Sequence, residues 1–509
     1  MKILRSNREE WLAAACAVAT GLLLYASFAP LEWTWAAWVA LVPMFVMTRR
    51  VSVRKALQMA FVAGLLFWLL SIRWLTHVTV AGWLFLSAYC ALFFLPSAWL
   101  AQRWRGGAAG FAGAMAVVWC GSEFLRGWLG GGFPWNPVGV GLAPWLPAIQ
   151  IAEFGGVWLV SGLAVFANAL LAWTVAERRG WPALALGTLA VAAVLGWGTW
   201  RVGRLPAPER TLRVALVQPS IPQDDKWVSA KIQMIYDRLR ELTRRAQADF
   251  RTELVVWPET ALPDDVRNSA TSYDLVWSLC TNGMPILTGS LDTAVLDSGE
   301  MQFFNSVFLF DTAGRIVGEY DKRHLVIGGE FIPLEKWIPD RLEWSLGLPE
   351  SITAGKAGAV FRVGPHAIPL APLVCFEDIM PYLARADVRA GARMLVNVTN
   401  DAWFDERAAP RQHMRNASLR AVENRVPLVR AANTGVSCVV APSGQLAAHL
   451  ADESGRTWEP GVLWADVPVP ADGASLTFYA RFGDMYGIAC AAATLLWLAR
   501  TFLQRRKTG

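Results

Sequence analysis

The chain has 509 residues, of which 54% are hydrophobic and only 17% charged, and its mean hydropathy is +0.33. That balance excludes an ordinary soluble protein of this size and requires part of the chain to lie in lipid. The formal net charge of +6 does not call for nucleic acid, because much of the basic excess falls in short clusters between apolar runs, where it suits anionic lipid.

The apolar excess is concentrated before residue 201. Long runs occur near residues 11–29, 33–48, 56–72, 80–101, 108–125, 155–176 and 181–200, with one more near 484–503. A bilayer core takes about 20 residues of helix, so the set predicts a polytopic α-helical membrane domain of about eight transmembrane helices, the run at 33–48 being the shortest. Any one run also fits a buried core helix, but seven in succession with so few charges do not. The basic flank of the first run (Lys2, Arg5, Arg8) would suit a signal peptide. Further spans follow directly, which favours an uncleaved helix.

Orientation follows from the short loops. Arg49, Arg50, Arg54 and Lys55, then Arg103 and Arg105, then Arg178 and Arg179 mark alternate helix ends, as do the N-terminal cluster and Arg505, Arg506 and Lys507. Arg73 and Arg126 are exceptions. The pattern predicts cytoplasmic N- and C-termini, with residues 202–480 outside. Between the fifth and sixth runs, Gly130-Gly-Gly-Phe-Pro-Trp-Asn-Pro-Val-Gly-Val-Gly cannot form a regular helix. It is expected at the outer membrane surface or against the outer domain, as a connector or a substrate contact. Glu123 and Arg126, at i and i+3, are expected to pair.

A basic linker, Arg204 to Arg210, leads into a different pattern. Residues 212–218 read as a strand, and 229–249 as an amphipathic helix with Ile232, Ile235, Leu239 and Leu242 on one face. Strands follow to Glu259 and at 285–291, 304–310, 315–320, 367–374, 394–398, 426–432 and 436–441, with helices near 379–390 and 411–424. Alternation of this kind indicates a layered α/β domain. The domain division is therefore 1–201, seven transmembrane helices; 202–480, the outer domain; and 481–509, a last helix with a basic tail.

Within the outer domain three apolar strands end at reactive side chains. Ile368-Pro-Leu-Ala-Pro-Leu-Val runs into Cys375, then Phe376, Glu377 and Asp378; Glu253-Leu-Val-Val-Trp-Pro runs into Glu259; Arg315-Ile-Val-Gly-Glu-Tyr-Asp runs into Lys322. A thiol that attacks an acyl carbon needs a base for its proton and a fixed cation for the oxyanion. Taken singly, Cys is as often a small buried hydrophobe and Lys a solvated charge. Of seven cysteines, Cys16, Cys90, Cys120 and Cys490 fall in or beside apolar runs, leaving Cys280, Cys375 and Cys438. Three is odd, so at least one stays unpaired within the chain, and the spacing leaves any pairing of Cys280 with Cys438 open.

Two loops add to the site. Asn397-Val-Thr-Asn-Asp-Ala-Trp-Phe offers Asn400, Asp401 and Trp403 after a strand, and residues 325–348, with Trp337, Trp344, Leu346 and Leu348, are apolar for a loop. Such a loop fits a lid that dips into the membrane interface, since Trp favours that zone, or a loop packed on its own domain. No Gly-rich phosphate loop and no Cys/His zinc spacing is present, so no cofactor and no metal is expected.

Trp257-Pro-Glu-Thr, Tyr320-Asp-Lys-Arg-His-Leu and Val374-Cys-Phe-Glu-Asp, in that order, resemble the Glu-Lys-Cys motifs of the nitrilase (carbon-nitrogen hydrolase) superfamily. That resemblance implies a four-layer αββα sandwich. With the spans on either side, and with Val217-Gln-Pro-Ser-Ile-Pro-Gln, Lys226-Trp227, Pro134-Trp135-Asn136, Arg420-Ala-Val-Glu-Asn and Arg430-Ala-Ala-Asn-Thr-Gly, the whole chain resembles the apolipoprotein N-acyltransferase family. The resemblance implies a Gram-negative inner-membrane acyltransferase with its α/β domain in the periplasm. It implies a phospholipid acyl donor, typically phosphatidylethanolamine, and the α-amine of a diacylglyceryl-cysteine in an apolipoprotein as acceptor, with the protein expected to act as a monomer.

On this reading Glu259 is the general base, Lys322 the oxyanion stabiliser and Cys375 the nucleophile. Glu330 and Glu377 support them, and Trp227, Phe376, Asn400 and Trp403 contact substrate. Phe376 stands where the family often has Tyr, which removes any role for that hydroxyl. His324, although next to Lys322, has no catalytic part in the resemblance. The competing readings are a membrane-anchored amidase that uses water as acceptor, and a lipid carrier whose outer domain only binds. The intact triad argues against the carrier.

Overall fold

In the computed structural model, which describes residues 2–205, 207–249, 251–331, 351–404, 408–453 and 455–508, the apolar runs are helical. Among the described residues six helices are long and apolar enough to cross a membrane: Glu9–Ala26, Val53–Ser71, Val80–Arg103, Ala108–Arg126, Ala152–Glu177 and Trp181–Val202. Two apolar helices are shorter, Thr34–Thr48 and Met485–Thr501. The expected span at 33–48 is thus broken into a 3-10 turn, Thr34–Trp38, and a seven-residue helix, Val42–Thr48, with proline in its first turn. Proline has no amide to continue the preceding helix, so the chain restarts there. Contacts group Met1–Leu205, Arg407–Glu423 and Thr477–Gly509 into one unit, and Pro206–Glu406 with Asn424–Leu476 into a second.

In the helical unit, polar side chains fix the irregular segments. Helix Ala152–Glu177 kinks at Gly156, whose φ of +66 and distance of 2.7 Å from a built Cβ to the Tyr479 ring admit only glycine. The kink frees the amide of Val157, which donates to Glu423 Oε1 at 2.9 Å. Glu123 and Arg126 do not pair with each other. Glu123 Oε1 accepts from Trp119 Nε1 and the Val138 amide, both at 2.8 Å, while Arg126 Nη1 donates to the carbonyls of Phe133 and Trp135 at 2.5 and 2.8 Å. Both side chains turn onto the loop after their helix, because its broken backbone offers unmet donors and acceptors that helix backbone does not.

That loop is buried from Trp135 to Ala143. It packs against helix Ala409–Asn424, which the sequence places in the outer domain. Gln412 Oε1 accepts from Trp135 Nε1 at 2.8 Å and Trp74 Nε1 at 3.3 Å, and its Nε2 donates to the carbonyls of Ala29 and Ser71 at 2.8 and 3.0 Å. Asn416 and Asn136 exchange hydrogen bonds of 2.9 and 2.8 Å.

The second unit is built on two six-stranded sheets. The strands are β1 (Arg210–Gln218), β2 (Leu254–Val256), β3 (Ile286–Val295), β4 (Met301–Phe310), β5 (Ile316–Asp321), β6 (Phe361–Val363), β7 (Ile368–Val374), β8 (Met394–Thr399), β9 (Leu428–Ala432), β10 (Cys438–Val440), β11 (Leu446–His449) and β12 (Gly461–Val469). Their order is β12-β1-β2-β3-β4-β5 in one sheet and β11-β10-β9-β8-β7-β6 in the other. In each sheet the three central strands, β1-β2-β3 and β7-β8-β9, run parallel and the flanking ones antiparallel.

Alternation sets the layers. Leu212, Val214 and Leu216 of β1 join Leu370, Val374, Val396, Val398 and Val429 of the other sheet in one core, whereas Ala215 and Val217 pack with Ile235, Leu239 and Leu242 of helix Ile232–Gln247 and with Leu275 and Leu279 of helix Ala270–Cys280. Helix Pro381–Arg389 packs beside β7 and buries Leu383, Ala384 and Val388. Cys280 is a free, buried thiol.

Gln412→Leu keeps the volume but removes four buried hydrogen bonds at about 1 kcal/mol each. The expected outcome is a clear fall in unfolding temperature in detergent, followed by tryptophan fluorescence, and an unchanged midpoint would deny the network a stabilising role.

Candidate active site

Parallel strands end together, so residues just past β2, β7 and β8 share one edge of their sheets. Glu259 follows β2. Its turn closes tightly on β3, where a Cβ at Gly289 would lie 2.7 Å from Glu259 Cα, and the Gly289 amide donates to the Pro258 carbonyl at 3.2 Å. Thr260 completes the turn in the left-handed region, φ +41. Lys322 follows β5, and its amide extends the ladder by donating to the carbonyl of Asn305 on β4 at 2.9 Å.

The three carboxylate and ammonium groups converge through Asn305. Lys322 Nζ lies 2.8 Å from Glu330 Oε1 and 3.7 Å from Glu259 Oε1. Asn305 Nδ2 donates to Glu259 Oε1 at 2.8 Å and to Glu330 Oε1 at 3.1 Å, and Glu330 Oε2 accepts from the Val326 amide at 2.9 Å. The Lys322 side chain is 1% exposed. Burial works against its charge, but Glu330 and then Glu259 outweigh burial and hold the ammonium well above the usual lysine range.

Cys375 ends β7 with φ +51, a conformation that costs a non-glycine residue of order 1 kcal/mol or more and persists only where neighbours enforce it. Two do so here. Asn397 Nδ2 donates to the Cys375 carbonyl at 2.9 Å, and Glu377 Oε2 accepts from the Val374 amide at 2.9 Å. Glu377 also ties this turn to the one after β5, accepting from the amides of Arg323 and His324 at 2.7 and 2.9 Å and from the Tyr320 hydroxyl at 2.7 Å. Burial and the Glu259 charge push the Cys375 thiol well above its ordinary range, against the pull of Lys322. The resting group is therefore a thiol, and any attack through it would require a base.

The other candidates divide. Phe376 stacks with His324, ring centroids 6.1 Å apart. Burial, followed by the Lys322 charge, lowers His324 to about 4, so its ring is neutral near pH 7. Trp227 and Trp403 are half exposed, as residues meeting a substrate would be. Asn400 instead is buried, its Nδ2 donating to Gln223 and its Oδ1 accepting from Asn433 Nδ2, both at 2.9 Å. Its amide holds loops together. Of the apolar loop at 325–348, only 325–331 is described; Trp337, Trp344, Leu346 and Leu348 lie outside the described residues.

Asn305 is a site residue that sequence reading missed, although a lone amide inside Phe303-Phe-Asn-Ser-Val-Phe was a visible signal. Lys226 is another: its Nζ donates to the Glu259 carbonyl at 3.2 Å and to Thr260 Oγ1 at 2.6 Å. Among the described residues one acidic trio, Asp292, Glu319 and Asp321, brings carboxylate oxygens within 4.8 Å of one another. Arg267 already bridges two of them, at 3.2 and 2.7 Å.

Glu377→Gln offers one acceptor oxygen in place of two at a hub that receives four hydrogen bonds. A loss of about 2 to 4 kcal/mol is expected from buried donors left unmet, with slower alkylation of Cys375. Wild-type unfolding temperature together with wild-type alkylation would contradict the hub.

Two family models match the sequence: the apolipoprotein N-acyltransferase N-terminal domain over residues 20–170 and carbon-nitrogen hydrolase over residues 213–471. A protein of Geobacter metallireducens named apolipoprotein N-acyltransferase is 34% identical over 98% of this chain and 96% of its own length. Proteins of the same name from Brucella suis and Rhodopseudomonas palustris are each 34% identical, covering 78% and 86% of this chain and 74% and 81% of theirs. With both regions matched and similarity running nearly end to end, this chain belongs to the apolipoprotein N-acyltransferase family, membrane acyltransferases with a nitrilase-like domain.

Proposed function

We propose that this chain moves an acyl chain from a phospholipid, in the first instance phosphatidylethanolamine, to the α-amine of a diacylglyceryl-cysteine in an apolipoprotein, through a thioester on Cys375. The observation that carries the proposal is a thiol held on a left-handed turn, φ +51, with a permanently charged, carboxylate-bound ammonium and a buried carboxylate at 3.7 Å from that ammonium. Glu259 takes the thiol proton as Sγ attacks the ester carbonyl. Lys322 holds the oxyanion, and Glu259 returns the proton to the departing alkoxide. The acceptor amine then attacks the thioester, losing a proton to Glu259, which passes it to the leaving thiolate. Glu330 orients Lys322, Glu377 fixes the two turns, and Trp227, Phe376 and Trp403 meet the lipid.

In the cell the proposal places residues 202–480 in the periplasm, held by helices in 1–201 and 481–509 with both termini in the cytoplasm of a Gram-negative inner membrane. The positive-charge pattern of the loops supports this placement. Reporters fused after Arg204 and after Arg506 should report outside and inside respectively; the same side for both would remove the last span and the orientation with it.

A hydrolase must admit water to its thioester, whereas a transferase excludes it until an amine arrives. Incubation with labelled phospholipid alone should therefore give a hydroxylamine-sensitive acyl-enzyme, discharged by a diacylated lipopeptide in ping-pong fashion. Cys375→Ala should form none, and Lys322→Ala little although the thiol remains. Free fatty acid released at one rate with or without lipopeptide would favour the water-using amidase and sink the transferase.

A further inference from the structure

The residue before Trp227 is a buried lysine that the proposed mechanism does not use. Lys226 is 3% exposed, and among the described residues no carboxylate lies within ion-pair distance of it. Its Nζ instead donates to the Glu259 carbonyl and to Thr260 Oγ1, at 3.2 and 2.6 Å, and lies 5.8 Å from the centroid of the Trp227 ring. A lysine kept for packing alone would be better served by methionine, since an ammonium taken from water without a counter-ion costs several kcal/mol. This one is set against the turn that carries Glu259, at the position where Thr260 is forced to φ +41.

We propose that Lys226 is a positioning residue for the acyl-transfer site, a buried ammonium that clamps the Glu259 turn through its carbonyl and Thr260 Oγ1. The proposal rests on the reading of Glu259 and Cys375 as base and nucleophile. Clamping follows from the two hydrogen bonds, which fix the peptide that follows the Glu259 Cα and the residue after it. Lys322 and Arg430 each have carboxylates within 4 Å; among the described residues Lys226 has none, so its ammonium is spent on the turn itself.

The test is acyl-enzyme formation from labelled phospholipid, together with iodoacetamide alkylation at Cys375 read by mass spectrometry of its peptide, in the full-length protein. Lys226→Met, with an unfolding temperature near wild type, should slow both about tenfold, because the carboxylate that takes the thiol proton is no longer held in place. Thr260→Val, which keeps the lysine and removes one clamp bond, should slow both in the same direction, with Thr260→Ser restoring them. Wild-type rates of both reactions in folded Lys226→Met, or in Thr260→Val where Lys226→Met does not fold, would overturn the clamp. Slowed alkylation in these variants, when wild type itself never forms an acyl-enzyme, would instead reject the acyl-transfer reading and leave the clamp standing.

Discussion

The second unit depends on keeping an ammonium charged where water does not reach it. Removing Lys322 from solvent would neutralise it unless carboxylates held its charge. Glu330 and Glu259 prevent this, at 2.8 and 3.7 Å, and two carboxylates then need their own positions fixed. Asn305 supplies that from β4 by donating to both. One charge therefore dictates the side chains of three loops and a strand. A buried pair is poor evidence for stability, so stability alone does not account for this one.

Glu377 solves a related problem by backbone rather than charge. It gathers the amides of Val374, Arg323 and His324, so the turns bearing the thiol and the ammonium are held by one carboxylate. Burial and four donors pull its protonation in opposite directions, with burial the larger. Beneath this layer Arg430 meets Asp378 at 3.0 Å and Asp401 at 3.7 Å, all three fully buried. Asp378 lies just after the thiol and Asp401 just after β8, so the same guanidinium spans two more of the turns that form the edge.

Much of this was legible in the sequence because strand ends are marked twice, by apolar alternation stopping and by a polar residue following at once. Glu259, Lys322 and Cys375 stand where those marks put them, and β1, β3, β4, β5, β7, β8 and β9 fall within a few residues of expectation. Short or half-exposed elements were not legible: β6 has three residues, and β11 has four, none of them buried. Helix Ala270–Cys280 lies beside Pro263 and Asp264-Asp265, where turn residues mask its start. The run at 33–48 is interrupted for a local reason, Pro43, that composition averages away. Glu123 and Arg126 failed because i, i+3 spacing describes an isolated helix, whereas the broken loop beside them offered better partners. Asn400 was legible as a polar residue after a strand, but its partners Gln223 and Asn433 come from distant parts of the chain that no local pattern joins.

Helix Ala409–Asn424 joins β8 to β9 in the chain, yet Arg407–Glu423 groups with the membrane helices, as do residues after Thr477. Its Gln412 closes hydrogen bonds with Ala29 and Ser71 across sequence separations of 383 and 341 residues. The helical unit therefore cannot finish assembling when its early helices leave the ribosome. The amides and carbonyls that Gln412, Asn416 and Glu423 satisfy must wait, in or beside lipid, until more than 400 residues have been made. Contacts of such separation are slow to form and leave surfaces open to wrong partners meanwhile. A protein cut at the linker after residue 205 would lose a structural piece of its membrane half, so the two halves are separable by contact but not by scissors.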